Sequence, residues 1–514
     1  MASKLLQCSA CVRHARRIRS GPLRTQFRAN GSSSGSFQPA TPGQQLLTLR
    51  TLDSLVTTIA KSAVNSPHHP SPFSMRALPS PWLTSSSPDL DGTVPTQPLA
   101  PLTAEEEKEL MRPKHMSESY TTFDLPLKSD ERLYQRYVNA QGGFRIGKLL
   151  EHLDSLAGAV AYRHCLPTYL RLSQSPDSTQ AFHEASTRAG LYLATASADR
   201  LDMLGKLNRD NVKDLRFSGF VTWTGNSSME VVVKMEGSPN TSSSSSWETI
   251  MIGRFAMVCR DSKTHKSKRI PELIVESEEE QALWNIGADH RKRLKQNSMM
   301  ALDKVPPTSE EVKELHDLML KIVDHNAKYM DGEQVVQMRD TETQTVQLMF
   351  PQDRNLHGKA FGGTLMRLAF ELCFTNAALF ASRPMRFLSL DEITFRLPVP
   401  IGAVLRLTSK VVNTSTPRAG EEAKVHIMVR AEVEEVDSGV SRTRGWPDAR
   451  LDANQGSQVR RETNTFFFTM AVEDGKPIGR TVVPTTYSES MHYLEGKRRL
   501  ELGDEMRRLY SGGI

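Results

Sequence analysis

The feature that most constrains this chain is a repeat. A glycine-punctuated apolar stretch of helical period, followed by several strand-like runs, occurs once in each half of the 514 residues. In the first half GGFRIGKLLEHLDSLAGAVAYRHC places Ile146, Leu149, Leu150, Leu153, Leu156, Ala157 and Val160 at helical spacings. LYLATASADRLDML, LRFSGFVTWTG, MEVVVKMEG and WETIMIGRFAMVCR then read as strands. In the second half QTVQLMF reads as a strand and AFGGTLMRLAFELCFTNAALF as the helix. FLSLDEITFRLP, AVLRLTSKVV, KVHIMVRAEVEEV and TNTFFFTMAVE follow as strands. Each block taken by itself without gaps, Gly147-Lys148-Leu149-Leu150 matches Gly363-Thr364-Leu365-Met366, and further down each half Leu215-Arg216-Phe217 matches Leu405-Arg406-Leu407. A long apolar helix with a set of antiparallel strands buries its core when the sheet curls around the helix, so the expected class is α+β, built twice. Joining the two sheets edge to edge would protect strands that are otherwise open.

Around these repeats the chain divides by composition. Residues 1–30 are rich in Arg and Ser and free of acids, the pattern of a mitochondrial transit peptide, and delivery to the matrix is expected. Residues 31–114 are dominated by Ser, Pro, Thr and Gly and read as disordered linker. The repeats occupy 115–265 and 334–478. Between them 266–333 is a polar bridge containing a helix, in which Thr308 and Glu311 have the spacing of a capping box. Residues 479–514 read as a charged helical tail, free to dock on the body or to regulate it.

The net charge of +6 comes from the first 52 residues: eight Lys and Arg precede the first acid, Asp53, and removing them leaves 57 basic against 59 acidic residues. A near-neutral body gives no sign of a nucleic-acid partner. No run approaches the roughly 18 apolar residues of a membrane span, so no integral membrane association is expected. Cys8, Cys11, Cys165, Cys259 and Cys373 imply neither a disulfide framework nor a metal site. No phosphate loop or dinucleotide fingerprint appears, and no cofactor is expected.

FRIGKLLEHLDSLAG in the first half and RNLHGKAFGGTLMRLAFELC in the second resemble the acyl-CoA thioesterases with two hotdog domains, particularly their mitochondrial branch, over roughly residues 115–480. The resemblance implies a tandem (double) hotdog, each a long helix wrapped by a curved antiparallel sheet, with sites formed between the two. It implies hydrolysis of acyl-CoA to a fatty acid and coenzyme A, and assembly as a homo-oligomer, commonly a trimer of double hotdogs. In this family the helix begins beside the thioester, where free first-turn amides stabilise developing negative charge on the carbonyl oxygen. Gly362 and Gly363 would permit that approach; a tight turn needed only for packing explains the pair equally well.

Hydrolysis needs a carboxylate to activate water. Asp154 lies two turns into the first helix, between Leu153 and Ser155 and near Leu156, where an ionised group is costly unless hydrogen-bonded or functional. A plainer reading pairs it with Arg145 or Lys148. Its register equivalent is Phe370, so the halves have diverged where the chemistry would sit. By the resemblance, Asn355 is the catalytic amide on the loop before the second helix. Read alone, it is a turn residue. The family pattern allows a second pseudo-site built from Arg145 and Glu371; read alone, Glu371 pairs with Arg367 along the helix. Coenzyme A phosphates require cations, for which Arg145, Lys148, Arg354 and Lys359 are candidates, with Gly147 at the first helix entrance; His357 is a candidate general base, set against the plainer reading of an exposed or structural loop imidazole.

Two rival functions remain. Hotdog enoyl-CoA hydratases resemble an Asp-x-Asn-Pro-x-His string, and the nearest string here, Asp353-Arg354-Asn355-Leu356-His357, lacks the proline and is one residue short. A non-catalytic acyl-CoA-binding or scaffold protein would keep the fold without needing Asp154 and Asn355.

Overall fold

A computed structural model of the chain describes residues 42–64, 102–166, 186–205, 207, 212–239, 247–299, 302, 304–325, 329–330, 332–350, 353, 360–415, 422–434 and 460–511. The leader, the insertion 435–459 and the loop holding Arg354, Asn355, His357 and Lys359 lie outside them.

The principal helices are α1 (Pro42–Val64), α2 (Ile146–Cys165), α3 (Glu278–Met299), α4 (Ser309–His325), α5 (Gly362–Ala381) and α6 (Tyr487–Ser511). The strands of the main sheet in the first half are β1 (Thr121–Leu125), β2 (Leu191–Ala198), β3 (Leu201–Met203), β4 (Leu215–Thr224), β5 (Ser228–Gly237) and β6 (Glu248–Asp261). Those of the second half are β7 (Thr343–Leu348), β8 (Met385–Leu390), β9 (Ile393–Thr394), β10 (Val404–Ser415), β11 (Lys424–Glu434) and β12 (Arg461–Val472). Along the sheet they run β7-β10-β11-β12-β8-β3-β6-β5-β4-β1, with β2 paired to β6 and β9. Each half repeats one order, and the halves join where Ser389 and Leu390 pair antiparallel with Asp202 and Leu201. This is the double hotdog expected from the repeat, with the two sheets fused edge to edge.

Each core helix is enclosed by its own half. Leu149, Leu150, Leu153, Leu156 and Val160 of α2, and Leu365, Met366, Ala369 and Cys373 of α5, are buried in one continuous apolar core with Val231, Val233, Val425 and Ile427 of the sheet. α5 is long and apolar enough to cross a membrane by composition alone, yet most of its apolar stretch is buried in this core.

The linker reading fails at residues 42–64. They form α1, whose Leu52, Val56, Ile59 and Ala63 recur at helical spacing and pack on Phe220, Val232 and Ile252, the outer face of the first sheet. Burying Leu52, Val56 and Ile59 is worth roughly 1.5–3 kcal/mol each, which outweighs the Ser- and Thr-rich composition. The continuous run Val231-Val232-Val233 has the same cause: Val231 and Val233 face α2 while Val232 faces α1, so both faces of β5 are covered.

The bridge and tail dock on the body. Thr308 caps α4 as the spacing required, its Oγ1 accepting from the Glu311 amide at 3.3 Å while Glu311 accepts from the Thr308 amide at 2.8 Å. Glu311 also accepts from Arg498 of α6 at 2.6 and 2.7 Å. α6 buries Leu494, Leu500 and Met506 and sends Arg499 to Asp391 and Arg507 to Asp202 at the joint of the halves. Arg200 completes that joint, donating to Asp202 and Ser389 at 2.8 Å and pairing with Asp391.

Candidate active site

α2 and α5 cross antiparallel at the centre of the molecule, and their glycines set the spacing. A Cβ on Gly147 would stand 3.1 Å from the Arg367 carbonyl and 3.2 Å from the Phe370 ring. One on Gly363 would stand 3.0 Å from the Glu151 carbonyl. Gly147 and Gly363 are therefore packing glycines, each admitting the backbone or side chains of the other helix. Gly362 differs: its Cβ would meet Asp154 Oδ2 at 3.0 Å and the Phe395 ring at 3.2 Å. The space beside Gly362 is the space in front of the carboxylate.

Asp154 is wholly buried. Thr195 Oγ1 donates to its Oδ1 at 2.8 Å, and Oδ2 has no hydrogen-bond partner among the described residues. Burial pushes the carboxyl up to about 7; the Thr195 hydrogen bond and the Gly363 amide oppose the rise, and the nearby Glu151 charge adds to it. The Gly363 amide thus faces the carboxylate and favours its charged form without completing a hydrogen bond to Oδ2. No side chain caps α5 at Phe361, so the amides of its first turn are not consumed by a cap. A carboxylate that titrates near neutrality, with one oxygen unpartnered among the described residues and close to an uncapped helix N-terminus, can accept a proton from a water held there.

The plainer reading of Asp154 is excluded by where its possible partners go. Arg145 Nη2 bonds Glu371 Oε1 across the helices at 2.6 Å, both side chains being more than a third exposed. Lys148 Nζ donates to the Arg136 carbonyl at 3.0 Å and lies over the Tyr137 ring. Neither cation is presented to Asp154. Glu371 also pairs with Arg367 at 3.6 Å, as helical spacing suggested. Asp353 accepts from the Phe350 amide at 3.2 Å in a turn.

The register offers one view of Asn355. It follows Asn139 by the same interval that separates Gly363 from Gly147. Asn139 organises the loop entering α2: its Oδ1 accepts from the Gln141 and Gly143 amides at 2.9 Å.

The search against protein-family profiles returned no match. Among curated proteins, the chain is 31% identical over 399 residues to acyl-coenzyme A thioesterase 9, mitochondrial, of Mus musculus, spanning 77% of this chain and 80% of that protein. The Homo sapiens protein of the same name is 31% identical, over 75% and 78% of the two chains. The chain belongs to the mitochondrial acyl-CoA thioesterase family. Among solved structures, an acyl-CoA hydrolase from Staphylococcus aureus in complex with butyryl coenzyme A is 22% identical, covering 35% of this chain and 94% of its own with a TM-score of 0.28.

Sequence reasoning about this family member missed Thr195. Its signal was present: alternation from Leu191 and Leu193 puts Thr195 on the buried face, where a hydroxyl among leucines needs a partner. A bulge between Thr195 and Ser197 then bends the strand where Thr195 reaches Asp154.

Proposed function

We propose that the chain hydrolyses fatty acyl-CoA at one composite site, with Asp154 of the first half as general base and Asn355 of the second as its polar complement. The observation that carries this reading is the buried, half-satisfied Asp154 carboxyl, pushed up to about 7 and facing the uncapped start of α5. Water between them loses a proton to Asp154 as its oxygen attacks the thioester carbon. The carbonyl oxygen takes the negative charge and is received by first-turn amides of α5. Collapse of the tetrahedral species expels the coenzyme A sulfur, to which Asp154 returns the proton. Asn355 orients the water or the thioester. No covalent enzyme intermediate is needed.

The acid-free leader supports import into the mitochondrial matrix. Val346, Leu348 and Phe350, exposed on and just after the edge strand β7, support assembly of further copies into a homo-oligomer such as a trimer, which sedimentation at micromolar concentration tests. The decisive assay is thiol release from a panel of saturated acyl-CoAs by the parent, Asp154→Ala and Asn355→Ala. Collapse of turnover in both folded variants is the expected result. Turnover undiminished in Asp154→Ala overturns the mechanism, and a parent inert on every chain length overturns the activity.

A further inference from the structure

The register that pairs Gly147 with Gly363 also pairs Glu151 with Arg367, and those two residues meet each other where α2 crosses α5. Arg367 Nε donates to Glu151 Oε2 at 2.9 Å, and Thr364 Oγ1 donates to Oε1 at 2.7 Å. The side chains are only 15% and 22% exposed, so the charges act on their neighbours with limited help from water. In a strictly symmetric crossing this position would bring a residue against its own copy, and like charges there would repel. Here the two halves supply opposite charges.

What the pair faces makes it more than a helix clasp. Glu151 precedes Asp154 by one turn of α2, and its backbone rests against Gly363, whose amide faces Asp154. The elements around Asp154 bring few charges. β2 contributes the Thr195 hydroxyl, the segment after β9 contributes the Phe395 ring, and α5 contributes Gly362 and Gly363, with Arg367 and Glu371 farther along. Glu151 lies one turn of α2 from Asp154 and its charge raises that carboxyl, with the Arg367 guanidinium 2.9 Å from Glu151 on the facing helix.

We propose that Arg367 is a positioning residue for the hydrolysis, touching neither the base nor the thioester, and that by neutralising Glu151 it sets how readily Asp154 gives up its proton. The proposal rests on Asp154 being the base. An unbalanced Glu151 would hold the proton on Asp154, leaving less base at neutral pH. Removing Glu151 would do the reverse. Thr364, donating to the same carboxylate from the first turn of α5, keeps the charge fixed relative to the helix start.

The test is the pH dependence of kcat/KM for the parent, Glu151→Gln, Arg367→Gln and the double variant, all in the full chain. Arg367→Gln should raise the midpoint of the acid limb by about one pH unit and Glu151→Gln should lower it by a similar amount, the scale of a single close charge. The double variant should lose the upward shift, because the charge that Arg367 masks is gone. Arg367→Lys should return the midpoint toward that of the parent. If Arg367→Gln does not fold, Arg367→Met, which also removes the charge, is read in its place with the same upward shift expected. An unmoved midpoint in either folded single variant, or an upward shift that survives in the double variant, overturns the proposal. Asp154→Asn run alongside separates the two readings: turnover that persists in it overturns the assignment of the base itself, and this proposal with it.

Discussion

The two halves keep one backbone and carry opposite chemistry at matching places. In the first, Asp154 of α2 bonds Thr195 of β2, and β2 has a bulge between Thr195 and Ser197. In the second, Phe370 of α5 packs edge-on against Phe387 of β8, their ring centroids 5.6 Å apart, and β8 has its register shift between Phe387 and Ser389. The bulge is present in both halves, although at the second the position matching Thr195 carries the Phe387 ring. Gly147 stands against Phe370 as Gly362 stands against Asp154. One side of the helix crossing is therefore packed with aromatic rings and the other holds the carboxylate. The comparison teaches that the bulge and the crossing belong to the architecture, while the side chains at two matched positions decide whether it holds an acid or an aromatic core.

The largest effect should come from removing the one carboxylate. Asp154→Asn should cut turnover by about 10³-fold, within the range for loss of a general base, and the parent's kcat/KM should fall with acidification below about pH 7. Its stability should move the other way. Folding raises this carboxyl from 3.8 to about 7, so ionising it costs the native state, and the parent loses stability as pH climbs between those values. Above pH 7 the Asn variant should be more stable by up to roughly 4 kcal/mol, the free energy of about three pKa units, and that advantage should vanish near pH 4. Urea unfolding at several pH values measures it.

Phe370→Asp attempts to give the aromatic side of the crossing the acid of the other side. It should destabilise the fold by about 3–5 kcal/mol, because a carboxylate would be buried among Phe374, Phe387 and Phe468 with no hydroxyl to meet it. It should add no turnover. Adding Phe387→Thr should recover part of the loss, since it restores the partner that Asp154 has; a double variant no more stable than the single one would break the equivalence.

The glycines divide in the same way. Gly362→Ala puts a methyl group 3.0 Å from Asp154 Oδ2 and should lower kcat by about 10²-fold, the scale of a small misplacement at a reacting centre. Gly147→Ala crowds the Arg367 backbone instead and should cost about 1–3 kcal/mol of stability, leaving turnover per folded molecule little changed. The smallest effect is that of Thr195→Val. Losing one hydrogen bond to the carboxylate should reduce kcat/KM about tenfold and move the acid limb upward, because that bond favours the charged form.

Much of the architecture was legible because hydrophobic period survives in a single sequence. The two core helices, their strands and the capping box at Thr308 follow from spacing alone. α1 was hidden by a Ser- and Pro-rich neighbourhood, although Leu52, Val56, Ile59 and Ala63 are themselves periodic. Asp154 was visible as a carboxylate on an apolar helix face. Thr195 was not sought, because its role depends on a bulge and on a residue far away in sequence. Asn355 and His357 lie outside the described residues, and the role proposed for Asn355 rests on the resemblance and is tested by Asn355→Ala.

By itself the sequence determined that there would be two similar helix-and-sheet units, that they would differ at Asp154 and Phe370, and that glycines would mark both helix entrances. These are local properties, fixed by period and residue type. The tertiary structure decided which glycine faces the acid, that Arg145 and Lys148 are engaged elsewhere, and that Glu151 and Arg367 meet at the crossing. Those outcomes depend on how two helices distant in the chain approach one another, and the distance and direction of that approach are set by packing across the whole core.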